Sequence, residues 1–167
     1  MKKKLLFLII ALFLITGCET KITNLLKTNN KQITIMENTQ RGQIINALDT
    51  IALINATYLN PTLNENNLTA KKYEIFLVGV YNSNDPKSYE KGGIHNPNYQ
   101  LTLNDSNYER AEKANPIKMQ LETYPFYNAW MKYYIVYFPK TDSDKLVLEY
   151  KNKEFGATKL IFKKNKE

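Results

Sequence analysis

Beyond residue 50 the chain alternates apolar and polar residues with a period of two, the pattern of strands that bury one face. Tyr99, Leu101 and Leu103 alternate with Gln100, Thr102 and Asn104. Ile117, Met119 and Leu121 alternate with Lys118, Gln120 and Glu122. Leu146 and Leu148 mark another strand, and Leu160 and Phe162 alternate with Lys159, Ile161 and Lys163. Glu74 to Tyr81 is apolar on both faces, as a central strand should be. Ile51 to Leu59 reads as extended and stops at Asn60-Pro61. From Tyr133 onward both faces are again large and apolar: Tyr133, Ile135 and Tyr137 on one, Tyr134, Val136 and Phe138 on the other. Turn signals such as Asn82-Ser83-Asn84-Asp85-Pro86 and Thr141-Asp142-Ser143-Asp144 separate the runs.

Two stretches are less decided. Over Arg41 to Asp49, the positions of Ile44, Ile45 and Leu48 suit a helix, while Gln43 to Asn46 suits one arm of a hairpin. The hairpin is the favoured reading. Ser106 to Ala114 is expected to be a single helical turn crossing between strands. The whole predicts an all-β domain over residues 32–167, a sandwich of seven to eight antiparallel strands. In strand number and length it resembles immunoglobulin-type domains, although it has no cysteine pair. That likeness is one of architecture alone.

The first residues follow a different logic. Lys2, Lys3 and Lys4 precede an unbroken apolar run from Leu5 to Ile15, then Thr16, Gly17 and Cys18. A run this short does not span roughly 30 Å of hydrocarbon, but it suits a secretory signal peptide over residues 1–17. Ile15-Thr16-Gly17-Cys18 resembles the lipobox of bacterial lipoproteins. The resemblance implies cleavage before Cys18, diacylglycerol on its thiol, and frequent acylation of the new amine. Cys18 is the sole cysteine, so no intramolecular disulfide competes for it. Residues 18–31 then read as a lipidated, flexible tether, with a short helix through Ile22, Leu25 and Leu26 as one option. The domain is expected in the periplasm or at the cell surface, membrane-bound through its lipid. Glu19 leaves inner versus outer membrane open.

Charge adds little. Lys2, Lys3 and Lys4 belong to the part expected to be removed, which lowers the formal +7 to +4. Such a balance with acids interspersed does not point to nucleic acid. Lys159, Lys163, Lys164 and Lys166 cluster near the end. They read as a solvated last strand and tail, or as a patch for anionic headgroups or acidic glycans.

Candidate chemistry is sparse. The aromatic stretch from Tyr124 to Phe138 reads mostly as core, with Trp130 plugging one end. Tyr124, Phe126 and Tyr127 are the residues expected to be exposed for a partner, with Trp130, Tyr89 and His95 as further possible partner-binding residues. The irregular stretch from Asn82 to Asn98 carries Tyr89 and His95 and is either a binding loop or a mobile connection. His95 is the single histidine, so no ordinary zinc set can be assembled and no metal or other cofactor is expected. No nucleophile elbow, phosphate loop or singled-out carboxylate pair is present, so no catalytic residue is assigned. Glu65-Asn66-Asn67-Leu68-Thr69 resembles the extended bacterial N-glycosylation sequon, which implies Asn67 as the acceptor. The expected function is non-catalytic binding of an envelope protein or glycan through loops at one end of the sandwich. A structural subunit of an envelope complex, or a glycan-acting enzyme using paired carboxylates, are the alternatives.

Overall fold

The computed structural model describes residues 30–64 and 66–164. The signal segment, Cys18, the tether up to residue 29 with its optional helix, Glu65 and Lys166 lie outside the described residues. Residues 30–37 are helical, and the compact body begins at Ile35.

The described residues contain nine strands: β1 (Thr39–Asn46), β2 (Asp49–Tyr58), β3 (Tyr73–Asn82), β4 (Tyr99–Leu103), β5 (Ser106–Asn107), β6 (Arg110–Lys113), β7 (Lys132–Pro139), β8 (Lys145–Asn152) and β9 (Gly156–Lys163). They form two antiparallel sheets, ordered β1-β2-β3-β7-β6 and β5-β4-β8-β9. The protein is an all-β sandwich. The segment around Arg41 to Asp49 is indeed a hairpin arm, paired from Thr39↔Thr57 to Asn46↔Asp49 with a bulge at Ile44/Ile45.

Alternate residues from both sheets build the core. Ile44, Ile54, Phe76, Val78, Val136 and Phe138 from one sheet meet Leu101, Leu103, Leu146, Leu148, Leu160 and Phe162 from the other. Phe76 is fully buried, with ring centroids 5.1 Å from Tyr58, 5.9 Å from Phe138 and 5.2 Å from Phe162. Burial of one such side chain contributes about 1.5–3 kcal/mol.

The opposite face of the five-stranded sheet is covered as well. Leu59, Leu63, Ala114, Met119, Leu121, Tyr124 and Met131 lie over Ile75, Leu77, Tyr133 and Ile135 in a second apolar cluster. This cover explains why β3 and β7 are apolar on both sides. Among the described residues the outer face of the four-stranded sheet has no such layer; there Lys145 stands opposite Lys163 and Glu149 opposite Lys159.

Two expectations fail, each for a local reason. Ile117, Met119 and Leu121 do not form a strand. The Asn115 side chain accepts from the amides of Ile117 and Lys118, and Pro116 takes the first helical position, so Pro116–Met119 is a short helix. Gln120, at φ 49°, ends it, and a 3-10 turn over Leu121–Thr123 follows. Ser106 to Ala114 is not helical either. Asn104 and Asp105, both at positive φ, turn the chain tightly into β5. Arg110–Lys113 then pairs with β7 as an edge strand. These two short strands bring the number above the seven to eight expected.

At one end of the sandwich, where β1 starts and β9 stops, sits Glu74, which is 0% exposed. Its carboxylate accepts from Tyr58 Oη at 2.7 Å and Lys140 Nζ at 3.3 Å, and pairs with Lys164 Nζ at 2.6 Å. Burial alone would raise its pKa. Hydrogen bonds from Lys164 and Tyr58, with the charges of Lys140 and Lys164, outweigh this and hold it below the usual carboxylate range. Lys164 is therefore not part of a solvated tail; it closes the end of the fold over a buried acid.

Candidate functional site

The other end of the sandwich gathers the candidate residues. Antiparallel pairing places Val80 opposite Lys132, so the segments after β3 and before β7 emerge side by side. Lys132 joins them: its ammonium is ion-paired with Asp85 and hydrogen-bonded to the Pro86 carbonyl. The Asp85 carboxylate also accepts from the Gly93 amide at 2.8 Å, Asn96 Nδ2 at 3.0 Å and Asn82 Nδ2 at 3.3 Å. Burial pushes its pKa up, but the bonds from Lys132, Asn96, Gly93 and Asn82 prevail and lower it. The stretch from Asn82 to Asn98 is thus pinned around one carboxylate.

Within that stretch Tyr89 and His95 do meet, around Tyr134. The ring centroids lie 5.3 Å and 5.4 Å from that of Tyr134. His95 Nδ1 is 3.2 Å from Tyr108 Oη, and Lys113 Nζ lies 4.3 Å from the centroid of Tyr89. The Tyr134 hydroxyl donates to the Gly92 carbonyl at 3.1 Å. Gly93, at φ +61°, lies where a Cβ would strike that hydroxyl, so glycine is required twice over. Burial raises the Tyr108 pKa, which keeps the phenol neutral as a hydrogen-bonding group.

Tyr124, Phe126, Tyr127 and Trp130 belong to a second group on the opposite face of the five-stranded sheet. Consecutive residues of β7 separate the two groups, since Tyr134 points into the core and Tyr133 points outward. Tyr124 is half-buried in the outer apolar layer. Phe126 is 50% exposed, Tyr127 36% and Trp130 82%. Trp130 therefore does not plug the core. It follows Asn128, whose Oδ1 accepts the Trp130 amide at 2.9 Å, and that turn directs the indole outward.

A row of residues across four strands braces this loop from below. Registers place Arg41, Asn55, Gly79 and Tyr133 side by side on β1, β2, β3 and β7. The Arg41 guanidinium carbon lies 5.9 Å from the Phe126 ring centroid. Asn55 Nδ2 donates to the Phe126 carbonyl at 2.5 Å. A Cβ at Gly79 would run into the Tyr133 ring, so glycine lets that ring lie flat across the strand. Tyr127 stacks on Tyr133 with centroids 5.4 Å apart, and Tyr133 Oη accepts the Asn128 amide at 2.9 Å. Phe126 sits at φ 60°, a conformation that costs a non-glycine residue on the order of 1 kcal/mol or more.

No protein-family model, curated protein or solved structure matches this chain.

Among the described residues, no group of three or more His, Cys, Asp or Glu is placed to hold a metal ion. Two open depressions of about 560 and 260 Å³ are lined by residues such as Lys145, Ile161 and Lys163, and Val147, Glu149 and Lys159. Lys159, Lys163 and Lys164 of the basic cluster line them, whereas none of Tyr89, His95, Tyr124, Phe126, Tyr127 and Trp130 does. Asn67 caps the short helix Leu68–Lys72, its Oδ1 accepting from the amides of Thr69 and Ala70 at 3.0 and 3.1 Å.

Arg41, Asn55, Asp85 and Lys132 were not among the residues singled out from sequence. One signal was present: Asn55 interrupts the apolar run Ile51 to Leu59, and a polar residue inside a buried strand is informative. The Asp85–Lys132 pair spans 47 positions and left no such mark.

Proposed function

We propose that this chain is a lipid-anchored envelope lipoprotein that catalyses no reaction and binds an envelope protein or glycan through the loop from Tyr124 to Lys132. The observation that carries the docking is Trp130, 82% exposed beside half-exposed Phe126, on a loop hydrogen-bonded from below by Asn55 and Tyr133. Large aromatic side chains held open to water bury much area on binding. Confinement by a lipid on Cys18 raises the local concentration of the domain at a membrane, so a modest interface suffices. The lipobox residues support that part of the reading.

Two experiments test it. Fractionation after Cys18→Ala should move the protein from the membrane to the soluble fraction; unchanged membrane retention would refute the anchor. Trp130→Ala should abolish co-purification of a partner from native membranes while leaving the thermal transition in place. Equal recovery with both proteins would remove the loop from the account. An oligosaccharide on Asn67 belongs to the same reading, and is checked by a mass increment present in native protein and absent in Asn67→Gln.

A further inference from the structure

Beneath the aromatic loop the Asn55 amide is only half used. Asn55 is 6% exposed, and its Nδ2 bonds the Phe126 carbonyl and approaches Met131 Sδ at 3.1 Å. Its Oδ1 is the one buried side-chain nitrogen or oxygen among the described residues that has no partner. Leaving a buried acceptor unpaired costs about 1–3 kcal/mol. The roof over it carries a second cost at Phe126, whose φ of 60° is left-handed. An unpaired acceptor under a strained cover describes a closed state that a ligand can improve upon.

The neighbouring groups define what that ligand must offer. It needs a donor for Asn55 Oδ1 and an acceptor that can replace the Phe126 carbonyl at Nδ2. It needs apolar C–H faces for the rings of Tyr127 and Tyr133, and oxygens for the Arg41 guanidinium. Two adjacent hydroxyls on a pyranose ring meet the first pair of demands together: one donates to Oδ1 while its neighbour accepts from Nδ2. The ring's C–H face meets the third, and further hydroxyls the last.

We propose that Asn55, Arg41 and Tyr133 form the floor of a saccharide subsite, reached when the loop from Phe126 to Trp130 lifts, and selective for vicinal hydroxyls. The proposal rests on the loop being the docking surface and commits that surface to a glycan. No covalent step is involved.

Trp130 is the sole tryptophan and lies on the moving segment, so its emission reports the event without a label. Titration with cellotetraose, an uncharged oligosaccharide rich in vicinal diols, should give a saturable shift of Trp130 emission. Asn55→Leu, which removes the unpaired oxygen, should raise the apparent Kd at least tenfold while keeping the far-ultraviolet dichroism of the parent. Arg41→Ala alters an exposed side chain on an edge strand and should raise it several-fold, which covers the case in which Asn55→Leu does not fold. Absence of a shift up to about 10 mM sugar, or equal affinity in the variants, overturns the subsite. If a partner is still lost with Trp130→Ala after such a result, the docking reading stands and only its assignment to a glycan fails.

Discussion

Glu74, fully buried, and Asp85, partly buried, are both paired with lysine and both held below the usual carboxylate range, yet they serve opposite ends of the molecule in different ways. Glu74 is met by side chains from separate strands and strand ends: Tyr58 from β2, Lys140 beyond β7 and Lys164 beyond β9. Asp85 is met mainly by its own loop, through the Gly93 amide, Asn96 and Asn82, with Lys132 as the link to β7. One acid fastens the ends of the fold. The other shapes a connection. A buried charge pair is no proof of stability, but removal of one partner strands the other, and the cost then depends on how deeply that partner sits.

The largest test of this contrast is Glu74→Ala. It leaves Lys164, whose side chain is 18% exposed, and the Tyr58 hydroxyl without their acceptor. The expected loss is about 3–5 kcal/mol in urea unfolding; a loss under about 1 kcal/mol would show that the strand ends hold without it. Asp85→Asn keeps the shape and removes the charge. A loss of about 1–3 kcal/mol is expected, with faster amide exchange confined to residues 83–98. Protection lost equally in β3 and β7 would refute the separation between fold and loop.

Acid separates the two in a second way. Both acids have folded-state pKa values below their unfolded ones, so each contributes stability that is complete above the unfolded pKa, near 4. That contribution is lost as pH falls through the lower folded-state value. The thermal midpoint should therefore drop below about pH 4. Glu74→Gln and Asp85→Asn should each flatten part of that limb, and a limb of unchanged slope in both would contradict the assignment. The smallest effect belongs to Trp130→Ala, which should change stability by no more than about 0.5 kcal/mol because the indole packs against little. A larger loss would mean that the ring supports the loop and does not merely project from it.

The strands that bury one face were legible because burial writes a period of two into the chain, as in β4, β8 and β9, while β2, β3 and β7 read as continuous apolar runs. Where it misled, a local signal outweighed it. Asn115-Pro116 starts a helix whatever alternates after it, and Arg110–Lys113 is charged because it is an edge strand with little to bury. The double-sided apolar character of β3 and β7 was visible, but the layer that covers it comes from loops, whose positions no periodicity records. The candidate site shows the same division. Phe126 and Tyr127 were read as exposed, and they are. Trp130 reads from sequence both as a core plug and as a possible partner-binding residue; it is exposed, and the Asn128 turn before it is a matter of a single hydrogen bond. Asn55 shows in the sequence only as a polar break in an apolar run and Arg41 leaves no mark; strand register places both under Phe126.

The sandwich begins with β1 and finishes with β9 at the Glu74 end, and Gln40 Nε2 bonds the Ile161 carbonyl at 2.8 Å, so these two strands run as neighbours. A short linker can therefore connect them, while the Ala47-Leu48 turn at the far end, with Leu48 99% exposed, offers a place to open the backbone. The resulting circular permutant would keep the strand pairing of both sheets and move the point of attachment to the end that carries Trp130. The same binding surface would then be presented in the reverse direction, with not one of its side chains altered.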